Sequence, residues 1–347
     1  MATLDIFRQD AFKLQSMLAA INEVDHLPQQ LGQMGIFTPT PVRTQTVSIE
    51  KLGETLSLIQ TSQRGEPAKN RETEKRDIRD FRTVRIAKKD RITSSELADI
   101  RAFGTESEFL QVQTEVARRL MGPGGLANEI ELTLENMRLG AIQGIVPDAD
   151  GSTLINWYTV FGVNQPNEID FDLDNASPAS GALMKACDTV VDSMRRAAKG
   201  AWNTGTLPIG LCGSAFWRDL IAHPEVRAVY QYMLQGGFRD GLDGILGRVQ
   251  RIEYGGIVFV KYWGTDDDTS VAIGTDKCKF FPANSPGVFK EVFSPGEQFA
   301  HIGQLGQRLY PLIVPDRDRD MYADIEVYSY PMHVCTRPLM LQRAKRT

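Results

Sequence analysis

Apolar and polar residues alternate along two stretches in the first quarter of the chain. Val47 and Ile49, then Leu56 and Leu58, mark one arm; Ile78, Val84 and Ile86 mark a second. A period of two, enriched in Val and Thr, predicts two-sided strands. Between the arms, Gly65 to Glu74 holds turn residues and almost no apolar side chain. The pattern predicts a long antiparallel hairpin over 42–92 with a polar tip. Ahead of it, residues 1–41 read as an arm. Phe12, Leu14, Met17, Leu18 and Ile21 give a short helix with Asp10 at its start. His26 to Pro28 breaks that helix, and Gln29 to Met34 forms a further turn. Two such helical scraps cannot bury themselves, so the arm must dock on its own domain or on a neighbour.

After the hairpin the apolar spacing lengthens. Thr93 to Ser95 opens a capped helix that reaches about Phe103, where Gly104 stops it. Phe109, Leu110, Val112, Val116 and Leu120 continue at helical spacing, and Leu126, Ile130, Leu132, Leu134 and Met137 resume it after Gly122 to Gly125. This predicts a long helical element with a break in the middle. Asp148 to Gly151, flanked by Gly140 to Val146 and Thr153 to Phe161, predicts a second hairpin. Over 164–300 the texture becomes α/β. Strands are expected at Ile169–Leu173, Pro208–Cys212, Val249–Tyr254, Ile257–Tyr262 and Ser270–Gly274. Helices are expected at Ala179–Ala201, Ser214–Ala222 and Pro224–Leu234, with Pro224 at a first helical position. From 301 the chain is extended again: a strand over Gln307–Val314, a charged turn over Pro315–Asp320, alternation from Tyr322 to Tyr330, and a last strand from His333 to Leu341.

Composition places this pattern in a soluble folded protein of 347 residues, 42% hydrophobic and 24% charged. No apolar run reaches the roughly 18 residues of a membrane span, and no secretion signal is visible at the N-terminus. Cys187, Cys212, Cys278 and Cys335 are scattered without a C-x-x-C pair, which predicts reduced, buried thiols in a cytosolic setting. Charge changes the picture more. From Arg64 to Arg91 there are eleven Lys or Arg and six Asp or Glu, a net of +5; the chain totals −5, so the remainder carries −10. An isolated two-stranded hairpin is marginal in water. It either decorates the fold as a solvated arm or becomes ordered by lying on an acidic surface, most simply that of another copy. Opposite charges on different parts of one chain specify head-to-tail association. Arg64, Lys69, Arg71, Arg76, Arg79 and Arg82 are the candidate inter-subunit contacts.

Candidate chemistry is sparse. His333 and Cys335 share a strand face, but no further metal ligand has recognisable spacing. Gly122 to Ala127 imitates a dinucleotide-binding glycine motif, yet it follows a helix where that motif follows a strand. Gly213-Ser214 after a buried strand suggests a nucleophile elbow, but Cys212 and Phe216 occupy positions where that motif needs glycine, so Ser214 reads as a helix cap. Asp316 to Asp320 starts like a calcium loop, but Met321 and Val327 stand where Gly and Glu are required. No catalytic residue, cofactor or metal is expected, which favours a structural role.

Three segments carry a resemblance. Cys212-Gly-Ser-Ala-Phe-Trp-Arg-Asp-Leu-Ile-Ala-His-Pro-Glu-Val-Arg227, Phe280-Phe-Pro-Ala-Asn-Ser-Pro-Gly-Val-Phe289 and Tyr330-Pro-Met-His-Val-Cys-Thr-Arg-Pro-Leu339 resemble the lambda-type major capsid proteins of tailed bacteriophages, the phage major capsid protein E family. The order of elements agrees across nearly the whole chain. The resemblance implies the α+β capsid fold of tailed phages and herpesviruses, the Hong Kong 97 phage type. Residues 1–41 would be the N-terminal arm, 42–92 the extended loop and 93–163 a peripheral domain with its spine helix. Residues 164–300 would form an axial domain, and 301–347 strands that rejoin the peripheral domain. It further implies self-assembly into pentamers and hexamers of an icosahedral head, with scaffold, portal and decoration proteins as partners. Packaged double-stranded DNA would face the inner surface without sequence-specific binding. The location would be the virion, assembled in the host cytoplasm. Some relatives crosslink through a loop Lys; Lys51 and Lys69 lie in the hairpin, and neither matches that chemistry. An encapsulin-like nanocompartment shell would keep the fold and change the role; an α/β hydrolase using Ser214 or Cys212 is a rival of another class.

Overall fold

The computed structural model describes residues 30–52, 76–99, 108–122, 124–235, 250–265, 271–319 and 321–347. The helix expected over Phe12–Ile21, the hairpin tip Gly65–Glu74, and Leu56 and Leu58 lie outside these residues. The chain enters through α1 (Gln30–Met34) and β1 (Thr38–Pro41). Strands β2 (Thr46–Leu52) and β3 (Arg76–Arg82) pair antiparallel, Thr46 opposite Arg82 and Leu52 opposite Arg76, as the hairpin pattern predicts. The second arm does not stay in the hairpin. After a break at Thr83 to Arg85 it becomes β4 (Ile86–Thr93), which pairs elsewhere. Its alternation marks a strand, which the structure has, but a period of two names a buried face and not the neighbouring strand.

Thr93 caps α2 (Ser94–Asp99): its Oγ1 accepts from the Glu96 amide at 3.3 Å while the Glu96 carboxylate accepts from the Thr93 amide at 3.0 Å. This is a reciprocal capping box. Helices α3 (Glu108–Met121) and α4 (Leu126–Gln143) form the broken long element; Asn128 Nδ2 bridges the break by donating to the Gly122 carbonyl at 2.8 Å. Leu132 is exposed because it falls off the face that Leu126, Ile130, Leu134 and Met137 share. Gly144, in the left-handed region, ends α4. A Cβ on Gly140 would lie 2.3 Å from Pro147 Cδ, so glycine there admits the hairpin of β5 (Ile145–Pro147) and β6 (Thr153–Asn156). That hairpin is shorter than expected. Residues 140–143 finish α4, and Trp157–Phe161 form α5. The Asn156 side chain accepts from the amides of Tyr158 and Thr159 and so starts a helix where alternation alone suggested strand.

The 164–300 segment contributes β7 (Glu168–Asp170), α6 (Ala182–Ala198), β8 (Leu207–Cys212), α7 (Ser214–Ala222), α8 (Pro224–Gln235), β9 (Arg251–Tyr254), β10 (Ile257–Lys261), β11 (Lys277–Ala283) and β12 (Phe289–Phe293). The chain closes through β13 (Tyr310–Pro315), β14 (Tyr322–Ser329), β15 (Pro331–Cys335) and β16 (Gln342–Lys345). Val271 to Gly274 is not strand. Ser214 is not the cap of α7; Gly213 is, and the Thr275 carbonyl accepts from Ala215 and Phe216 at 2.9 Å.

A six-stranded sheet runs β7-β16-β11-β8-β10-β9. Period-two alternation divides its side chains between two cores. Cys212, Phe259, Cys278 and Phe280 face α6 and α7 with Phe216, while Ile209, Leu211, Val260 and Phe281 join a cluster around Trp157 and Met137. A third cluster lies between α3, α4 and the sheet β13-β14-β4. Strand β12 leaves the α/β segment to sit between β1 and β15, and β16 leaves the closing segment to pair with β11. The last strand expected over His333–Leu341 is thus two strands in two sheets, separated by a 3₁₀ turn at Pro338–Met340.

Candidate functional site

The hairpin base is held to its own subunit through one face. Phe81 packs on Trp157 with ring centroids 5.6 Å apart, and the Arg79 guanidinium donates to the Val160 carbonyl. Arg79 and Phe81 share a face because residues two apart in a strand do. The opposite face carries exposed Arg82 and the Ser48–Asp80 hydrogen bond, 2.6 Å across the register. Arg76 lies opposite Leu52 in the ladder; Arg64, Lys69 and Arg71 are outside the described residues. Of the six candidate contacts, then, the structure sets Arg79 and Arg82 on opposite faces of β3 rather than together.

Much of the positive charge beyond β3 is matched inside the subunit. Arg85 meets Glu297 at 3.3 Å, Lys88 meets Glu129, and Lys89 and Arg91 both meet Asp324, at 3.5 and 2.7 Å. Arg119 gathers Asp90, Glu96 and Glu115. Of these pairs, those of Lys88, Lys89, Arg91 and Asp90 join β4 to α4, β14 and α3. Exposed pairs add little stability each, so they set geometry more than energy. Hydrogen bonds from Arg118, against a smaller burial penalty, and then from Arg119 hold the Glu115 carboxyl at about 2.

A second cluster is buried and ties four segments together. Glu135 on α4 accepts from the Leu31 and Gly32 amides of α1, at 2.7 and 3.1 Å. Arg138, one turn on, reaches Glu291 on β12 at 2.7 and 3.1 Å and Glu135 at 3.4 Å. His333 Nε2 on β15 meets the same Glu291 oxygen at 2.9 Å. Burial alone would push the Glu291 carboxyl up; the hydrogen bond from His333 and the charge of Arg138 outweigh it and hold it at about 2. Burial pushes His333 below its ordinary value despite Glu291, so the ring is neutral and its Nε2–H donates. Burial likewise raises Glu135, against the pull of the Leu31 amide and Arg138. His333, expected at most as half of a metal pair with Cys335, is instead a core histidine tied through Nε2 to Glu291. Among the described residues no group of three or more His, Cys, Asp or Glu is arranged to hold a metal ion, and no helix is long and apolar enough to cross a membrane.

The cluster gives the subunit an acid-sensitive stability. A carboxylate with a lowered value is stabilising above its unfolded 4.5 and loses that contribution as pH falls towards 2; Glu291 and Glu115 are of this kind. Neutral His333 adds loss below its unfolded 6.5. Glu135 opposes both, because its raised value contributes below 4.5 and fades as pH rises through the raised value. The unfolding midpoint is expected to drop from about pH 6 downward and more steeply below about pH 4. Thermal melts across that range check it, and Glu291→Gln should flatten the lower limb; an unchanged limb would remove Glu291 from the account.

The phage major capsid protein E model matches residues 13–346. The chain belongs to that family. Its function is therefore that of a phage major capsid protein, a structural building block of an oligomeric shell. The major capsid protein of Salmonella phage Felix O1 is 26% identical over 353 residues, covering 92% of this chain and 93% of that one. That of Pseudomonas phage KPP10 is 26% identical over 312 residues, covering 86% of each. A candidate capsid protein of an E. coli CFT073 prophage has the same fold, with a TM-score of 0.57, 12% identity and coverage of 96% of this chain and 99% of that one. The Hong Kong 97-type α+β capsid fold expected from the three sequence segments is thereby the fold of this chain. The buried cluster of Glu135, Arg138, Glu291 and His333 was missed from sequence; the one signal available was Glu131, Glu135 and Arg138 recurring on one stripe of α4, whose other polar residues include Glu129 and Asn136.

Proposed function

We propose that this capsid protein builds the icosahedral head of a tailed double-stranded DNA bacteriophage, as pentamers and hexamers. The carrying observation is the hairpin base: one face is fixed on Trp157 and Val160 through Phe81 and Arg79, and the ladder runs on from Thr46 opposite Arg82 to Leu52 opposite Arg76. A hairpin anchored at its root and charged beyond it suits a loop laid across the next subunit. In this reading Arg64, Lys69, Arg71, Arg76 and Arg82 face a neighbour, and Arg79 positions the root. Residues 1–41 act as the arm and 42–92 as the extended loop. Residues 93–163 are peripheral with α4 as spine, 164–300 axial, and 301–347 return to the peripheral side with β16 lent to the axial sheet. Scaffold, portal and decoration proteins are the partners, and DNA faces the inner wall without sequence-specific contact. Assembly takes place in the host cytoplasm and the product is the virion. The chain acts without catalysis or cofactor. The family match favours the phage head over a nanocompartment shell.

Negative-stain electron microscopy with sedimentation at low and high salt tests this. Closed shells, or rings of five and six that weaken as salt screens the hairpin charges, are expected. Deleting Gly65 to Glu74 should abolish them without unfolding the subunit. A monomer at every salt, unchanged by that deletion and by added scaffold, would overturn the reading.

A further inference from the structure

Cys212 and Cys278 stand directly opposite each other on β8 and β11, with their sulfurs 3.5 Å apart. The neighbouring pair, Gly213 and Lys277, is joined by a ladder hydrogen bond of 2.9 Å, so Cys212 and Cys278 occupy a non-hydrogen-bonded position. At such positions the Cα atoms lie about 4.5 Å apart, within the range of roughly 4.4–6.8 Å that a disulfide spans. Both side chains point to the same face of the six-stranded sheet, towards α6 and α7. Gly210, two residues before Cys212, leaves space beside them; a Cβ there would sit 3.1 Å from Cys278 Sγ. All four thiols of the chain are free and buried, but these two have each other within contact distance.

We propose that Cys212 and Cys278 are a latent cross-strand disulfide, closed when the protein passes from a thiol-reducing to an oxidising solution. The oxidant is a small-molecule disulfide. One cysteine thiolate attacks it, forming a mixed disulfide and releasing one small thiolate. The second cysteine thiolate then attacks the protein sulfur of that mixed disulfide and releases the other small thiolate. Two protein thiols are oxidised, one small disulfide is reduced to two thiols, and the two protons leave with the products. Burial slows the reaction by disfavouring the thiolate, and it raises the Cys278 thiol well above its ordinary value. Opening of the sheet controls the rate. Closure links residues 66 apart and pins α7, α8, β9 and β10 within one loop. The biological setting, a shell built in a reducing cytoplasm and released from it, rests on the proposed function; the chemistry in the chain does not.

The full chain, purified in reductant, is incubated with oxidised glutathione at a series of urea concentrations below its unfolding transition. Free thiols are then alkylated after denaturation, and peptides are mapped by mass spectrometry. Two of four thiols should vanish together into one peptide pair joining Cys212 to Cys278, leaving Cys187 and Cys335 alkylated. The unfolding midpoint should rise by on the order of 5 °C and return with dithiothreitol. Cys335→Ser should leave the bridge intact and Cys278→Ser should prevent it. Four surviving thiols at every urea concentration, stable glutathione adducts, or a bridge through Cys187 would each overturn the proposal. Shell formation is scored separately, so failure of one reading is distinguishable from failure of the other.

Discussion

Arg138→Ala is expected to destabilise the subunit by roughly 3–5 kcal/mol, because it removes the cation of a buried ionic cluster and leaves its carboxylates without a counter-charge. Glu291 would lose two hydrogen bonds and Glu135 one, while both carboxylates remain buried. An unpaired buried carboxylate either carries its desolvation cost or takes up a proton, so the Glu291 value should climb from about 2 towards and past its ordinary range. Denaturant titration measures the loss. Glu291→Leu made together with Arg138→Met should recover a large part of it, since two apolar side chains ask for no counter-charge. If the single variant is insoluble, Arg138→Lys keeps the charge, gives up the forked geometry and should fall in between. A loss under about 1 kcal/mol for Arg138→Ala would mean that water already reaches the cluster.

Trp157→Ala is expected to cost about 3–5 kcal/mol and, in addition, to loosen the hairpin root. Trp157 is fully buried and packs against Phe81 of β3 and Phe161 of α5. Its removal opens a cavity where the hairpin, α5 and the central cluster meet. Hydrogen exchange should quicken in β2 and β3 beyond what the global loss explains. Phe81→Leu separates the two effects: it should mobilise the hairpin at a smaller global cost, and assembly should fall with it. Equal protection in β2–β3 and the body for both variants would show that the root is held by other contacts.

The three motif-like segments were legible because each combines local turn chemistry with apolar spacing. Cys212 to Arg227 encodes a strand end and two helices in consecutive residues, and the structure has β8, α7 and α8 there, with Gly213 and not Ser214 as the cap of α7. Local misreadings have local causes. Asn156 can cap a helix as readily as it can end a strand, and Trp157 to Phe161 has too few residues to show a period.

The sequence by itself determined the types of most elements, the apolar faces of α6 and β8, the polarity of the hairpin and the capsid family. Only the tertiary structure decided which strands are neighbours. Strand β4 leaves its hairpin for β14, β12 leaves its α/β segment for β1 and β15, and β16 joins β11. Alternation says that a strand is buried on one face, but the hydrogen bonds at its edges are the same for any partner. The tertiary structure also decided that Glu135, Arg138, Glu291 and His333 are interior. A charged stripe has the same pattern whether it meets water or opposite charge, and the counter-charge for Arg138 comes in part from Glu291 on β12, 153 residues away.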